Sequence, residues 1–252
     1  MVSLLQKTIV TSLFICIGFV KMKAQVPFPK VELGVTAGTF VYQGDVTPVR
    51  AGAYNTIKPP QFGVFITRLL GPSLSLRLNF TAGQLKGDDA RYASPYWRKE
   101  RNFKFSTPVT EITALLQWDV TGQNYSRQAK SLAPYFFVGA GYALFHIRRD
   151  WSGINRSLFV GSQVPAGLPA DSAHQVPRGL PVVPAGFGLR YAISQDWSLL
   201  AETSYRFVFN DYLDGFSKAA NPARDDHFFT HSLGVIYTFG RFDPLACPVL
   251  QY

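Results

Sequence analysis

From Val31 to Gly240 apolar residues alternate with small or polar ones, a period of two that predicts strands. The cleanest run is Leu74 to Gly83, where Leu74, Leu76, Leu78, Phe80 and Ala82 share one face and Ser75, Arg77, Asn79, Thr81 and Gly83 the other. Seven further segments alternate with more noise, roughly Val31 to Tyr42, Gln61 to Leu70, Phe103 to Val120, Pro134 to Ile147, Val182 to Ile193, Trp197 to Phe209 and Phe228 to Gly240. Most exceed the usual globular strand and reach the roughly 9–11 residues with which a tilted strand crosses hydrocarbon. The pattern therefore predicts eight antiparallel strands.

The connections alternate in length. Gly71 to Ser73 and Ser194 to Asp196 are tight turns, and Thr121 to Ser131 is intermediate. In contrast, Gly44 to Pro60, Gly87 to Asn102, Arg148 to Pro181 and Asn210 to His227 are long, polar and rich in Gly, Pro, Asp and Asn. Short links at one end and long loops at the other are the asymmetry of an outer-membrane barrel. A soluble sandwich has no reason to sort its loops by end.

Alternation alone does not say which face is wet. The less apolar face holds Gly63, Gly83, Gly139, Gly141, Gly186, Gly188 and Gly234 with the charges Arg77, Glu111, Arg190, Glu202 and Arg206, which suits a crowded lumen. Buried charge persists only where it finds partners, so a network joining the three arginines to the two glutamates is expected, as a structural plug. The other face is Leu, Val, Phe and Ala, with Trp118, Trp197, Tyr237 and Phe239 near strand ends as part of an interfacial girdle. The fold class expected is all-β, an eight-stranded antiparallel transmembrane β-barrel of the OmpA or OmpX type over residues 25–240.

The segment before the barrel has Lys7, an apolar run from Thr8 to Val20, and Ala24 as the residue before cleavage. This reads as a secretory signal peptide over residues 1–24, too short to span a bilayer. Its removal takes Lys7, Lys21 and Lys23, lowering the formal charge from +9 to +6. The remaining cations are scattered singly, so no nucleic-acid stripe is present. Of two cysteines only Cys247 remains, in a periplasmic tail of residues 241–252, where an odd thiol implies either an intermolecular disulfide to a partner or a free thiol.

Catalysis finds little support. His146, His174, His227 and His231 form no ligand-like pair, and His231 and Ser232 are strand neighbours that point to opposite faces. No enzyme activity, cofactor or metal is expected. The long loops carry Arg91, Tyr92, Tyr96, Trp97, Arg98 and Lys99, then Arg148, Arg149 and Trp151, suited to an adhesive or lipid-phosphate contact or to a plain solvated loop over the mouth. The last strand reads Ser232-Leu233-Gly234-Val235-Ile236-Tyr237-Thr238-Phe239. Its Ser232, Gly234, Tyr237 and Phe239 resemble the terminal-strand signal read by the bacterial barrel-assembly machinery.

Six stretches in order carry a wider resemblance: Glu32-Leu33-Gly34-Val35, Tyr42-Gln43-Gly44-Asp45, Leu85-Lys86-Gly87-Asp88-Asp89, Arg101-Asn102-Phe103-Lys104-Phe105, Pro134-Tyr135-Phe136-Phe137-Val138-Gly139-Ala140-Gly141 and Phe209-Asn210-Asp211-Tyr212-Leu213-Asp214. Together they resemble the PorG-like outer-membrane proteins of the Bacteroidota, associated with type IX secretion and gliding. The resemblance implies an accessory barrel in the cell outer membrane that ties a periplasmic ring, made of a lipoprotein and its partner subunit, to that membrane. Its neighbours would be outer-membrane lipid, the assembly machinery and the ring. The Pro-rich stretch from Arg148 to Pro181 departs from the family pattern. The alternatives are a surface-binding barrel whose extracellular loops grip a lipid or host ligand, and an enzyme acting on lipids.

Overall fold

In the computed structural model, the structure describes residues 31–49, 52–56, 60–125, 128–221 and 225–239. The expected signal peptide, the tail and Cys247 lie outside the described residues. Nine strands form in chain order: β1 Val31–Gln43, β2 Gln61–Leu69, β3 Leu74–Asp88, β4 Lys104–Asp119, β5 Leu132–Phe145, β6 Arg148–Asp150, β7 Gly179–Ala192, β8 Trp197–Val208 and β9 His227–Phe239. All but β6 build the barrel. Each pairs antiparallel with the next, and β9 returns to β1 along its whole length, from Val31↔Phe239 to Gln43↔His227. Closure leaves no unpaired edge, which is the condition for a sheet to sit in lipid.

The tight turns lie at the end where β1 begins and β9 finishes, and the four long connections gather at the other. Along each strand the buried residues alternate with exposed ones, and the exposed ones are the greasy ones. Leu74, Leu76, Leu78 and Phe80 on β3 are 39–50% exposed, while Ser75, Arg77, Asn79 and Thr81 are buried. That inversion of the soluble-protein rule is stable only if acyl chains cover the outside. The chain is therefore a transmembrane barrel of the bacterial outer membrane, oriented with its greasy side outward. Trp118 stacks on Phe136 and Trp197 packs edge-on to Tyr237 at the short-turn rim, where amphipathic rings meet headgroups.

Most expected boundaries fall within two residues of those found. The largest differences occur at the long-loop end, where the strands outrun the membrane. β3 extends to Asp88 rather than Gly83 because Gln84, Lys86 and Asp88 face water, so the greasy alternation stops although the pairing with β4 continues. The stretch from Arg148 to Pro181, expected as a polar loop, instead holds β6, which prolongs the β4 edge, and a helix α2, Gln163–Ala173. Gly87 to Asn102 likewise holds a turn of 3-10 helix, Asp89–Arg91, and a short helix α1, Trp97–Arg101. These polar, proline-containing segments hide their order because their few buried residues are not periodic.

Candidate functional site

Every expected inward charge faces the lumen, and each is paired. Arg77 reaches Glu202 through both guanidinium nitrogens, with Nη2 donating to Oε2 at 3.2 Å. Its Nε donates to Asn79 at 2.6 Å, and its guanidinium lies 3.5 Å over the Phe65 ring. The Tyr135 hydroxyl completes Glu202 with a bond of 2.6 Å. Arg206 donates to Glu111 at 3.2 and 3.5 Å and to Ser204. Arg190, however, pairs with neither expected glutamate. Its partner is Glu32 on β1, bound by two parallel contacts of 2.7 and 2.9 Å. The expected five-member network is thus a stack of three arginine–glutamate pairs, each bidentate and each with charge balanced in place. Glu32 went unassigned because it opens β1, where two residues of alternation define no face. A charge count of three arginines against two glutamates already signalled a missing acid.

Glycines on the inner wall make room for this layer. A Cβ at Gly34 would stand 2.1 Å from the Phe65 ring, and one at Gly188 2.5 Å from the Tyr135 ring. The gap beside Arg77, Glu202 and Arg206 measures about 20 Å3, room for roughly one water.

Above the ion pairs the lumen turns apolar and the long loops close it. Phe40, Leu85, Phe105, Val109, Phe145, Val182, Val208 and Phe228 from the wall meet Phe103, Leu168, Leu213 and Phe216 from the loops in one buried cluster. Phe103 and Phe216 stack with ring centres 4.2 Å apart. Three polar knots hold this cap. Asp89, fully buried, receives Arg98 at 2.8 Å and Arg101 at 2.6 and 3.1 Å, and both arginines also donate to the Asp45 carbonyl. Asp171, on α2, accepts the backbone N–H groups of Ser217, Lys218 and Ala219 at 2.8–3.2 Å, pinning the helix to the last loop. Finally, the Tyr42 hydroxyl lies 2.6 Å from both Asp214 and Asp226.

A phenol has one proton to donate, so this last contact needs a second proton on one of the two carboxyls. Burial, strengthened by neighbouring carboxylates, holds Asp214 and Asp226 well above the usual carboxylate range. Asp211, in the same loop, is pushed up to about 7 by burial, with Ser217 opposing and Asp45, Asp225 and Asp171 adding to it. These cap residues were not recognised as a site in the sequence. Yet Tyr42, Asp45, Asp89, Arg101, Phe103, Asp211, Leu213 and Asp214 belong to four of the six stretches singled out in the sequence, so those four converge on the mouth, whereas Glu32 to Val35 and Pro134 to Gly141 lie in the barrel wall.

Of the loop aromatics and cations, Tyr92, Arg98 and part of Arg149 serve the cap, whereas Arg91, Tyr96, Trp97, Lys99 and Arg148 stay exposed. In β9, Ser232 and Gly234 face the lumen and Tyr237 and Phe239 face outward. His231 points away from Ser232, its ring bonded to Tyr54 and Thr203.

The barrel is similar to several solved outer-membrane proteins of low sequence identity. The attachment invasion locus protein Ail of Yersinia pestis shares 10% identity, with 84% of this chain and 99% of that chain covered and a TM-score of 0.46. Neisserial surface protein A shares 15%, with 83% and 97% covered and a TM-score of 0.44. OprG of Pseudomonas aeruginosa shares 12%, with 84% and 96% covered and a TM-score of 0.41. No curated protein sequence matches the chain. A family model described as a domain of unknown function matches residues 7–248.

Proposed function

Because the chain belongs to the DUF6089 family and is an outer-membrane barrel, we propose that it is an accessory scaffold of a type IX protein secretion system. In this reading it anchors a periplasmic ring to the outer membrane. One observation carries it: the lumen is filled by three ion pairs and then by a capped apolar cluster, which leaves no conduit among the described residues and favours a role at the rims. The strand ends Val31 and Phe239 both lie at the short-turn rim, which in this reading is the periplasmic one, where a ring would dock. The PorG-like motifs support the same role.

The test is a pull-down of the tagged barrel in gentle detergent followed by mass spectrometry. Recovery of a lipoprotein-containing ring, lost on deleting residues 241–252, supports anchoring. A barrel recovered with no periplasmic partner rejects it. Non-reducing electrophoresis tests Cys247 as a cross-link, since a Cys247→Ser variant with unaltered high-mass bands would end that idea.

A surface-binding barrel is the second reading, favoured by the ordered extracellular cap with its exposed aromatics Tyr96 and Trp97. Loss of adhesion with secretion intact, after shortening the segment between Asp150 and Gly179, would select it.

A further inference from the structure

The outer wall of β3, β4 and β6 changes character at one level. On β3 the outward residues run Leu74, Leu76, Leu78, Phe80, Ala82, Gln84, Lys86 and Asp88. On β4 the matching row runs from Trp118 to Thr110, then Pro108, Ser106 and Lys104. With about 3.3 Å per residue and a tilt of about 40°, a hydrocarbon band roughly 25 Å tall that starts at Leu74 ends near Gln84. Lys86 then stands about 5 Å beyond the edge, inside the headgroup layer. Register places Lys86 beside Ser106 and Ser106 beside Arg148, so two cations flank a hydroxyl across three strands, about 10 Å apart end to end.

These three residues share one groove. Its other charges are accounted for. Arg91 pairs with Asp88 at 3.6 Å, Lys104 sits in register between Asp88 and Asp150, and Arg149 turns inward to the carbonyls of Gly215 and Ser172. Lys86 and Arg148 have no carboxylate partner among the described residues. The Ser106 hydroxyl accepts from Gln84, which leaves its own proton to donate. Towards the same end, the outward residues of β8 and β9 on the far side of the barrel are Tyr205, Phe207 and Phe229 instead, so the cationic pair is local rather than a general collar.

We propose that Lys86, Ser106 and Arg148 form a site for a phosphate group of an outer-leaflet glycolipid, with the acyl chains lying on the Phe80, Ala82 and Ile112 surface below. Two cations and a hydroxyl donor match a phosphate's charge and acceptor oxygens. The continuous apolar stripe selects a lipid over a soluble anion. The site stands apart from the scaffold reading, since it needs only the membrane location.

The full-length barrel is purified, placed in phosphatidylcholine nanodiscs doped with lipid A or with dephosphorylated lipid A, and bound lipid is counted by native mass spectrometry. Heat-shifted migration on gels establishes that each variant is folded. The expected result is several-fold enrichment of the phosphorylated form, a drop of about fivefold for Lys86→Gln or Arg148→Gln, a larger drop for the double variant, and no change for the exposed cap variant Lys218→Gln. Equal retention of the two lipids, or retention unaltered in the folded double variant, overturns the proposal. So does tight binding of heparin or free pyrophosphate in detergent that competes away the lipid, because the groove would then serve a soluble anion.

Discussion

Arg190 on β7 and Glu32 on β1 grip each other across the lumen through two parallel bonds of 2.7 and 2.9 Å, although 158 residues separate them in sequence. Neither has water to fall back on, since both are at most 6% exposed at the side chain. Removing one partner strands a buried charge, so Glu32→Ala is expected to cost about 3–5 kcal/mol. Replacing both with apolar residues of similar size is expected to recover most of that loss. Urea unfolding in detergent, followed by the heat-shifted gel band, measures both, and a single variant as stable as the parent would show the pair to be solvated.

Gly34 and Phe65 are locked in the same way by space. Any Cβ at Gly34 would overlap the ring, and the ring cannot retreat because Arg77 lies 3.5 Å over its face. Gly34→Ala is expected to destabilise by about 1–3 kcal/mol through overpacking. Adding Phe65→Leu should restore stability, and a pair of additive losses in the double-variant cycle would refute the contact.

On the outside, Leu78 is 48% exposed near the middle of the greasy band. An arginine there would meet hydrocarbon, and Leu78→Arg is expected to cost about 2–4 kcal/mol. The same substitution at Gln84, near the band's outer edge, should cost roughly 0–1 kcal/mol. Equal costs at the two depths would place the membrane elsewhere.

The carboxyl cluster of the cap makes its order depend on pH. Asp211 has its folded pKa raised to about 7, against about 3.9 in an unfolded chain. The folded cap therefore binds protons more tightly than the open one. Its contribution to stability is full below about pH 3.9, declines as pH rises and is lost above about 7. Asp214 and Asp226, also raised by burial, push in the same direction. Amide hydrogen exchange in residues 209–221 is expected to accelerate from pH 5 to pH 8, after correction for intrinsic rates. Tyr42→Phe should strengthen the dependence, because the phenol's donated hydrogen bond favours the ionised carboxyls of Asp214 and Asp226 and opposes their upward shift. Exchange that slows with rising pH would reverse the sign and reject the account.

Much of the barrel was legible because lipid imposes a rule with a short period. A one-residue slip would turn Leu76 inward and Arg77 outward, so alternation fixes face and register together. The same logic located Arg77, Arg190, Arg206, Glu111 and Glu202. It failed for Glu32, at a strand start, and for α2, whose prolines and weak patterning disguise a helix held by Asp171 rather than by a greasy stripe. The cap stayed hidden because Tyr42 lies far along the chain from Asp214 and Asp226, and nothing local in the sequence reveals that they meet. Four of the six short motifs were a trace of that meeting without its geometry.

The seam between β1 and β9 has a temporal meaning. On the side away from β2, all thirteen residues of the first strand find their mates in the last one. No cylinder can exist while His227 to Phe239 is still inside the cell, so the polypeptide has to travel unclosed, and its raw margins need chaperoning until export is nearly complete.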